Sequence, residues 1–163
     1  MLKRLATAGL IVCAAFAPVF AAELAIPAKD PIARVTIPDS WETEESDLGY
    51  GAISPDSGVS LLLERASDSR VENILAANDA WLQQNDIAPR GPHSERESTV
   101  AGLSAKIYSY PAADDEGDTI VDFIVIRPSK DRAILLTLWA SAGEREANKA
   151  DLDAIESSLK PTD

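Results

Sequence analysis

Apolar positions along this chain change period four times, and each change marks a new stretch of elements. From Leu5 to Phe20 there is no charge at all, and Ala, Leu, Ile, Val and Phe dominate. The run is shorter than the ~20 residues that span a bilayer as a helix. Lys3 and Arg4 precede it, Pro18 interrupts it, and Val19-Phe20-Ala21 supplies modest or small residues at the −3 and −1 positions. Residues 1–21 therefore read as a secretory signal peptide, cut between Ala21 and Ala22. The polar, Pro27- and Pro31-containing stretch of residues 22–31 is expected to be an extended leader.

Beyond it the period falls to two. Ala33, Val35 and Ile37 alternate with Arg34 and Thr36, as in a half-buried strand. Pro38-Asp39-Ser40 then makes a turn, and residues 42–48 are polar without a pattern. Residues 49–53 and 59–63 read as a hairpin around Ser54-Pro55-Asp56-Ser57, with Ser and Pro placed for a type I turn. The period lengthens to that of a helix at Val71, Ile74, Leu75, Trp81 and Leu82, behind a Ser69-x-x-Glu72 capping box. Asn78 interrupts that stripe, and Pro89 and Gly91-Pro92 end the segment.

Four further strands are predicted over 96–101, 105–110, 119–126 and 132–139. A loop from Pro111 to Asp118 and a turn from Pro128 to Asp131 separate the last three. In the final pair, Ile120, Ile124 and Ile126 oppose Val121, Phe123 and Val125, while Ile134, Leu136 and Leu138 oppose Ala133, Leu135 and Trp139. Strands apolar on both faces need cover above and below. A second capping box, Ser141 to Glu144, opens a closing helix with Leu152, Ile155 and Leu159 as its stripe. Asn148 lies on the same face, so the first turns should be less buried, and Lys160-Pro161 stops the helix. Short connections make the sheet mainly antiparallel, so residues 32–161 are expected to form one α+β domain, an α/β/α sandwich.

Charge narrows the partners. The full chain carries a net −12, and removing Lys3 and Arg4 with the signal peptide leaves 13 basic against 27 acidic residues, a net −14. Such a surface repels nucleic acid and anionic membranes and suits cationic partners or simple solubility. No membrane span is expected after cleavage. The single cysteine, Cys13, lies inside the signal peptide, so the mature chain has no disulfide and no thiolate chemistry. Val12 before Cys13, and the uncharged residues still to come, argue against lipidation.

His93 is the only histidine, and a zinc site normally draws on several His or Cys ligands. No Gly-x-Ser-x-Gly elbow supports a catalytic triad, and no cofactor motif is present. An enzyme, hydrolase-like or metal-dependent, would have to centre on His93 with nearby carboxylates. Asp114, Asp115, Glu116 and Asp118 offer oxygen ligands for Ca²⁺ but lack the register of a calcium loop, and a solvated hairpin tip accounts for them equally. Asp122, inside an apolar strand, needs a partner such as Arg127 or Arg132, or an exposed edge. Trp41, Tyr50 and Tyr108 are candidates for a shared ligand- or partner-binding surface, although aromatics at such spacing usually belong to a core.

The string RVTIPDSW (34–41), the hairpin GYGAISPDSGVSLLLERA (49–66), the Gly-x-x-Ala of TVAGLSAKIYSY (99–110) and the ending AIESSLKP (154–161) resemble PsbP-like domains. The resemblance covers residues 32–161 and rests on turn and packing signatures. It implies the α/β/α sandwich and a kinship with photosystem II accessory subunits and small bacterial envelope proteins. It brings no catalytic residue. The sequence thus points to a periplasmic or secreted, non-enzymatic envelope protein that binds a partner protein or small ligand through one face of its sheet or its loops.

Overall fold

The computed structural model describes residues 21–162, so the body of the signal segment, with Lys3, Arg4 and Cys13, lies outside the described residues. In chain order the elements are β1 (Ala21–Ile26), β2 (Ala33–Pro38), β3 (Glu42–Glu45), β4 (Gly49–Ile53), β5 (Ser60–Ala66), α1 (Asp68–Ala76) and α2 (Asn78–Gln84). There follow β6 (Ala88–Pro89), β7 (Ser94–Val100), β8 (Leu103–Asp114), β9 (Gly117–Ser129), β10 (Arg132–Ala140), α3 (Ala142–Ala147), α4 (Lys149–Ser158) and β11 (Lys160–Pro161).

The main sheet runs β3-β4-β5-β10-β9-β8, with β7 and β6 sharing the outer side of β8, and every pairing is antiparallel. Its two faces separate as the alternation requires. Val121, Phe123, Val125, Ala133 and Leu135 pack with Val71 and Leu82 under α1 and α2. Ile124, Ile126, Ile134, Leu136 and Leu138 face the other way, against Val35, Ile37, Ile155 and Leu159. That second cover is mixed: α4 lies beside a small sheet, β1-β2-β11. The fold is an α+β, mainly antiparallel sheet covered on both faces, as the pattern predicts. The expected leader of residues 22–31 supplies all of β1 but its first residue, and the strand pairs along β2 from Ala21 opposite Pro38 to Ile26 opposite Ala33.

Several boundaries differ from the pattern. β3 lies in the patternless polar stretch because its four side chains are all exposed, so neither face selects apolar residues. The first helix is capped by Ser67, whose hydroxyl accepts the Arg70 N–H at 3.2 Å, and Ser69 sits inside the first turn. The expected single helices each break, at Ala77 and at Asn148. The second capping box is formed as predicted: Ser141 accepts from the Glu144 N–H, and the Glu144 carboxylate accepts from the Ser141 N–H at 2.6 Å.

The predicted Pro111–Asp118 loop shrinks to a two-residue tip, Asp115-Glu116, because β8 continues to Asp114 and β9 begins at Gly117. Pro111 is tolerated there because its carbonyl accepts from the Arg90 N–H. In an antiparallel strand that places the missing N–H on the outer side, away from β9. Asp114 closes the tip by accepting the N–H groups of Glu116 and Gly117 at 3.0 and 3.1 Å.

On α4, burial pushes the Glu156 carboxyl above the usual range, and Asp153 adds to the shift, against weaker pulls from Lys149, Arg96 and Arg145. The folded chain therefore holds this proton more tightly than the unfolded chain. The stabilising contribution is complete below the unfolded pKa of about 4.3 and is lost as pH rises through the folded value. Glu156→Gln is accordingly expected to raise the melting temperature at pH 7 and to leave it nearly unchanged at pH 3. Melts of both proteins at the two pH values check this.

Candidate functional site

The three aromatics expected to share a surface are not brought together. Trp41 is buried at 4 % exposure in the core beneath the small sheet, and its indole N–H donates to Asp151 at 2.9 Å. Tyr50, two residues before Ala52, lies on that same face of β4. Tyr108 packs against the opposite core, under the helices.

His93 is exposed and borders none of the cavities described below. Its ring stacks on Tyr110 at 4.8 Å, and the Glu95 carboxylate lies 3.3 Å from its Nε2. Glu95 is mainly engaged by Lys106 at 2.7 Å, which holds its carboxyl below the usual range. The same carboxylate, with Tyr108, pushes the Lys106 ammonium up to about 12. The arrangement is a surface charge network.

The acidic group sits at the β8–β9 tip. Asp114 spends one oxygen on the turn and accepts the Trp139 indole N–H on the other at 3.0 Å. Asp118 lies 3.9 Å from Arg90. Among the described residues no three His, Cys, Asp or Glu side chains converge to hold a metal ion. Asp122 is buried, and its partner is Arg145 of α3 at 2.6 Å, not Arg127 or Arg132. Those two bond instead to Asp68 and to the Thr162 carbonyl. The Asp122–Arg145 pair is structural, tying α3 to the sheet.

A different surface emerges from the strand registers. Glu42, Ile53, Ser60, Trp139, Val121 and Tyr110 stand opposite one another in one row across six strands. Helices α1 and α2 cover the Val121 and Tyr110 end and stop short of the β3–β4 end. Trp139 is left half-buried at the border, and Ile53, at 42 % exposure, is the one large hydrophobic side chain exposed among the described residues. A groove of about 270 Å³ opens here, with Asn85 at the end of α2 on one wall and Glu42 and Glu44 on the other. Ser60 and Trp139 also line a smaller cavity of about 160 Å³ leading toward Asp114, Asp115 and Glu144. The apolar centre is thus rimmed by carboxylates on both sides. Neither Ile53 nor Trp139 stood out in the sequence, because both take the strand alternation of core residues.

A larger open groove, about 460 Å³, follows the break between α1 and α2, bordered by Arg70, Asn73, Ile74 and Trp81. Its one charge is committed, since Arg70 bonds Glu64 at 2.9 Å. Ile74 and Trp81 belong to the core packing below it.

No family model matches the chain, and no curated protein is similar to it in sequence. Its architecture is shared with solved structures. Cyanobacterial PsbP from Synechocystis sp. PCC 6803 superposes with a TM-score of 0.57 at 12 % identity, covering 92 % of this chain and 97 % of that one. LpqN of Mycobacterium tuberculosis, involved in cell envelope biogenesis, gives 0.53 at 15 % identity over 88 % and 92 %. A Bacteroides thetaiotaomicron protein gives 0.55 at 9 % identity, over 80 % of this chain and 45 % of that one. The fold is PsbP-like, as the motifs led one to expect. Among the described residues no helix is long and apolar enough to cross a membrane.

Proposed function

We propose that the chain is an exported, non-enzymatic envelope protein that binds a partner protein through the face running from Glu42 to Trp139. The observation that carries this reading is Ile53, an exposed apolar side chain beside a half-buried tryptophan on an otherwise strongly acidic protein. Exposed apolar surface rimmed by polar groups marks interaction sites. The groove's volume falls below the roughly 300 Å³ at which small-molecule sites begin, which favours one or two side chains of a protein over a ligand enclosed whole. The signal segment and the fold shared with LpqN, itself involved in envelope biogenesis, support the location.

A photo-crosslinking residue in place of Ile53, in the full chain expressed in its own cells, tests this. The expected result is one dominant adduct, formed by a chain beginning at Ala22, with none when the group replaces exposed Lys130 at the β9–β10 turn. Equal capture at both positions, or an intact Met1 on the captured chain, overturns the reading.

A further inference from the structure

We propose that the segment bound at this face is an extended basic strand that adds to the free edge of β3. The inference rests on the reading of the Ile53 face and names its occupant.

β3 ends the strand order, and among the described residues nothing pairs with its outer side. Its edge is therefore a row of backbone donors and acceptors open to another strand, the geometry of peptide capture by strand addition. The register fixes what such a strand would meet. Glu42 and Glu44 stand opposite Ile53 and Gly51 on the groove face, and Thr43 and Glu45 opposite Ala52 and Tyr50 on the other. All four side chains are exposed, and none of the three carboxylates makes an ion pair among the described residues. An added strand would set its own side chains about 5 Å from theirs. Lys or Arg at two alternate positions would face Glu42 and Glu44, and their aliphatic stems would lie over β3 toward Ile53.

A second copy of this chain fits poorly. Antiparallel pairing of Glu42-Thr43-Glu44-Glu45 with itself sets carboxylates against carboxylates or threonine, and like charges directly opposite are destabilising. The net charge of −14 on each mature copy, from 13 basic against 27 acidic residues, adds repulsion. The acidic edge thus discriminates: it resists self-pairing and admits a strand of opposite charge.

The test uses the mature chain, ¹⁵N-labelled, titrated with a synthetic peptide of alternating Lys and Val, roughly nine residues long to match a strand. The expected result is amide shift changes and slowed exchange at Glu42–Glu45, with smaller shifts at Gly49–Ile53. Affinity should fall about tenfold in the Glu42→Lys/Glu44→Lys variant, the sum of two exposed pairs lost and two repulsions gained. Glu42→Gln/Glu44→Gln should give a smaller loss, and unchanged melting temperatures confirm that both variants fold. Shifts confined to Ile53, Ser60 and Trp139 would overturn strand addition while leaving the binding face standing. So would equal binding of a Glu/Val peptide, or concentration-dependent self-association through β3. No shift anywhere, joined to no crosslink at Ile53, would overturn both.

Discussion

Arg145→Met is expected to cost about 3 kcal/mol of stability, the low end of the loss seen when a buried charge is left without its partner, because Asp122 is buried while Arg145 keeps some exposure. Asp122 stands in the middle of β9 at 6 % exposure. One of its oxygens accepts from the Arg145 guanidinium at 2.6 Å, and the other accepts a short bond from the Ser109 hydroxyl. Arg145 does more than neutralise the carboxylate. Its remaining N–H groups donate to the carbonyls of Ile120 at 2.8 Å, Ala140 at 3.2 Å and Leu138 at 3.3 Å. It therefore ties the ends of β9 and β10 to α3, a helix with no buried residue of its own. Methionine keeps much of the stem's packing, so the loss isolates the charge and its bonds. Urea denaturation measures it. In the Arg145→Met background, Asp122→Asn should recover a substantial part, because the orphaned charge is gone. A double Leu replacement should lose less than the sum of its singles, since paired replacement can approach neutrality. A loss below about 1 kcal/mol for Arg145→Met would place the pair with exposed salt bridges and refute the buried assignment.

The same pair shows where the sequence stops being legible. That Asp122 needs a partner follows from its place in an apolar strand. Which partner it takes does not, because Arg145 arrives from a helix 23 residues further on, and only the docking of α3 brings it near. Local pattern served well where both faces of a strand are buried, as in β9 and β10, since every residue there reports its side. It failed for β3, which is exposed on both faces and so carries no period. The helix breaks at Ala77 and Asn148 showed in the sequence only as a polar residue on each apolar stripe, Asn78 and Asn148, because the stripe resumes beyond each. The candidate surface was hidden for a related reason. Ile53 and Trp139 have the alternation of core residues, and only the length of the α1–α2 cover decides that one is buried by half and the other left open. Trp41 makes the converse case, an aromatic behind a turn that looked available and is enclosed by the small sheet and α4.

Gly49→Ala is expected to destabilise the protein by about 3 kcal/mol, at the upper end of the overpacking range, and to do so by detaching the edge that carries the proposed site. A β-carbon built at Gly49 falls 1.8 Å from the Leu63 carbonyl oxygen, 2.9 Å from its carbon and 3.1 Å from the Glu64 α-carbon. All three are backbone atoms, so no rotamer change relieves the clash and β4 must move off β5. The position is pinned by neighbouring backbone bonds as well. The Gly49 carbonyl accepts from the Ser46 N–H at 2.8 Å, and the neighbouring Leu48 carbonyl accepts from the Arg65 N–H at 2.8 Å. Strain at this point therefore falls on the pairing of Gly49–Ile53 with Ser60–Glu64, and beyond it on β3. Hydrogen exchange should quicken at the amides linking β3, β4 and β5, while those joining β5 to β10 and β10 to β9 keep their protection. Gly51→Ala is the control two residues on. There the nearest atom is the Glu44 carbonyl oxygen at 4.0 Å, and a β-carbon should cost nothing or add a few tenths of a kcal/mol by restricting the unfolded chain. The contrast also separates stability from recognition. Gly49→Ala should weaken capture of a basic strand by disordering β3, even though it removes no carboxylate and no apolar side chain, whereas Gly51→Ala, which adds a methyl on the groove face without displacing β4, should weaken it far less. Equal losses at the two glycines would mean that the close approach of β4 to Leu63 does not fix the geometry of this edge.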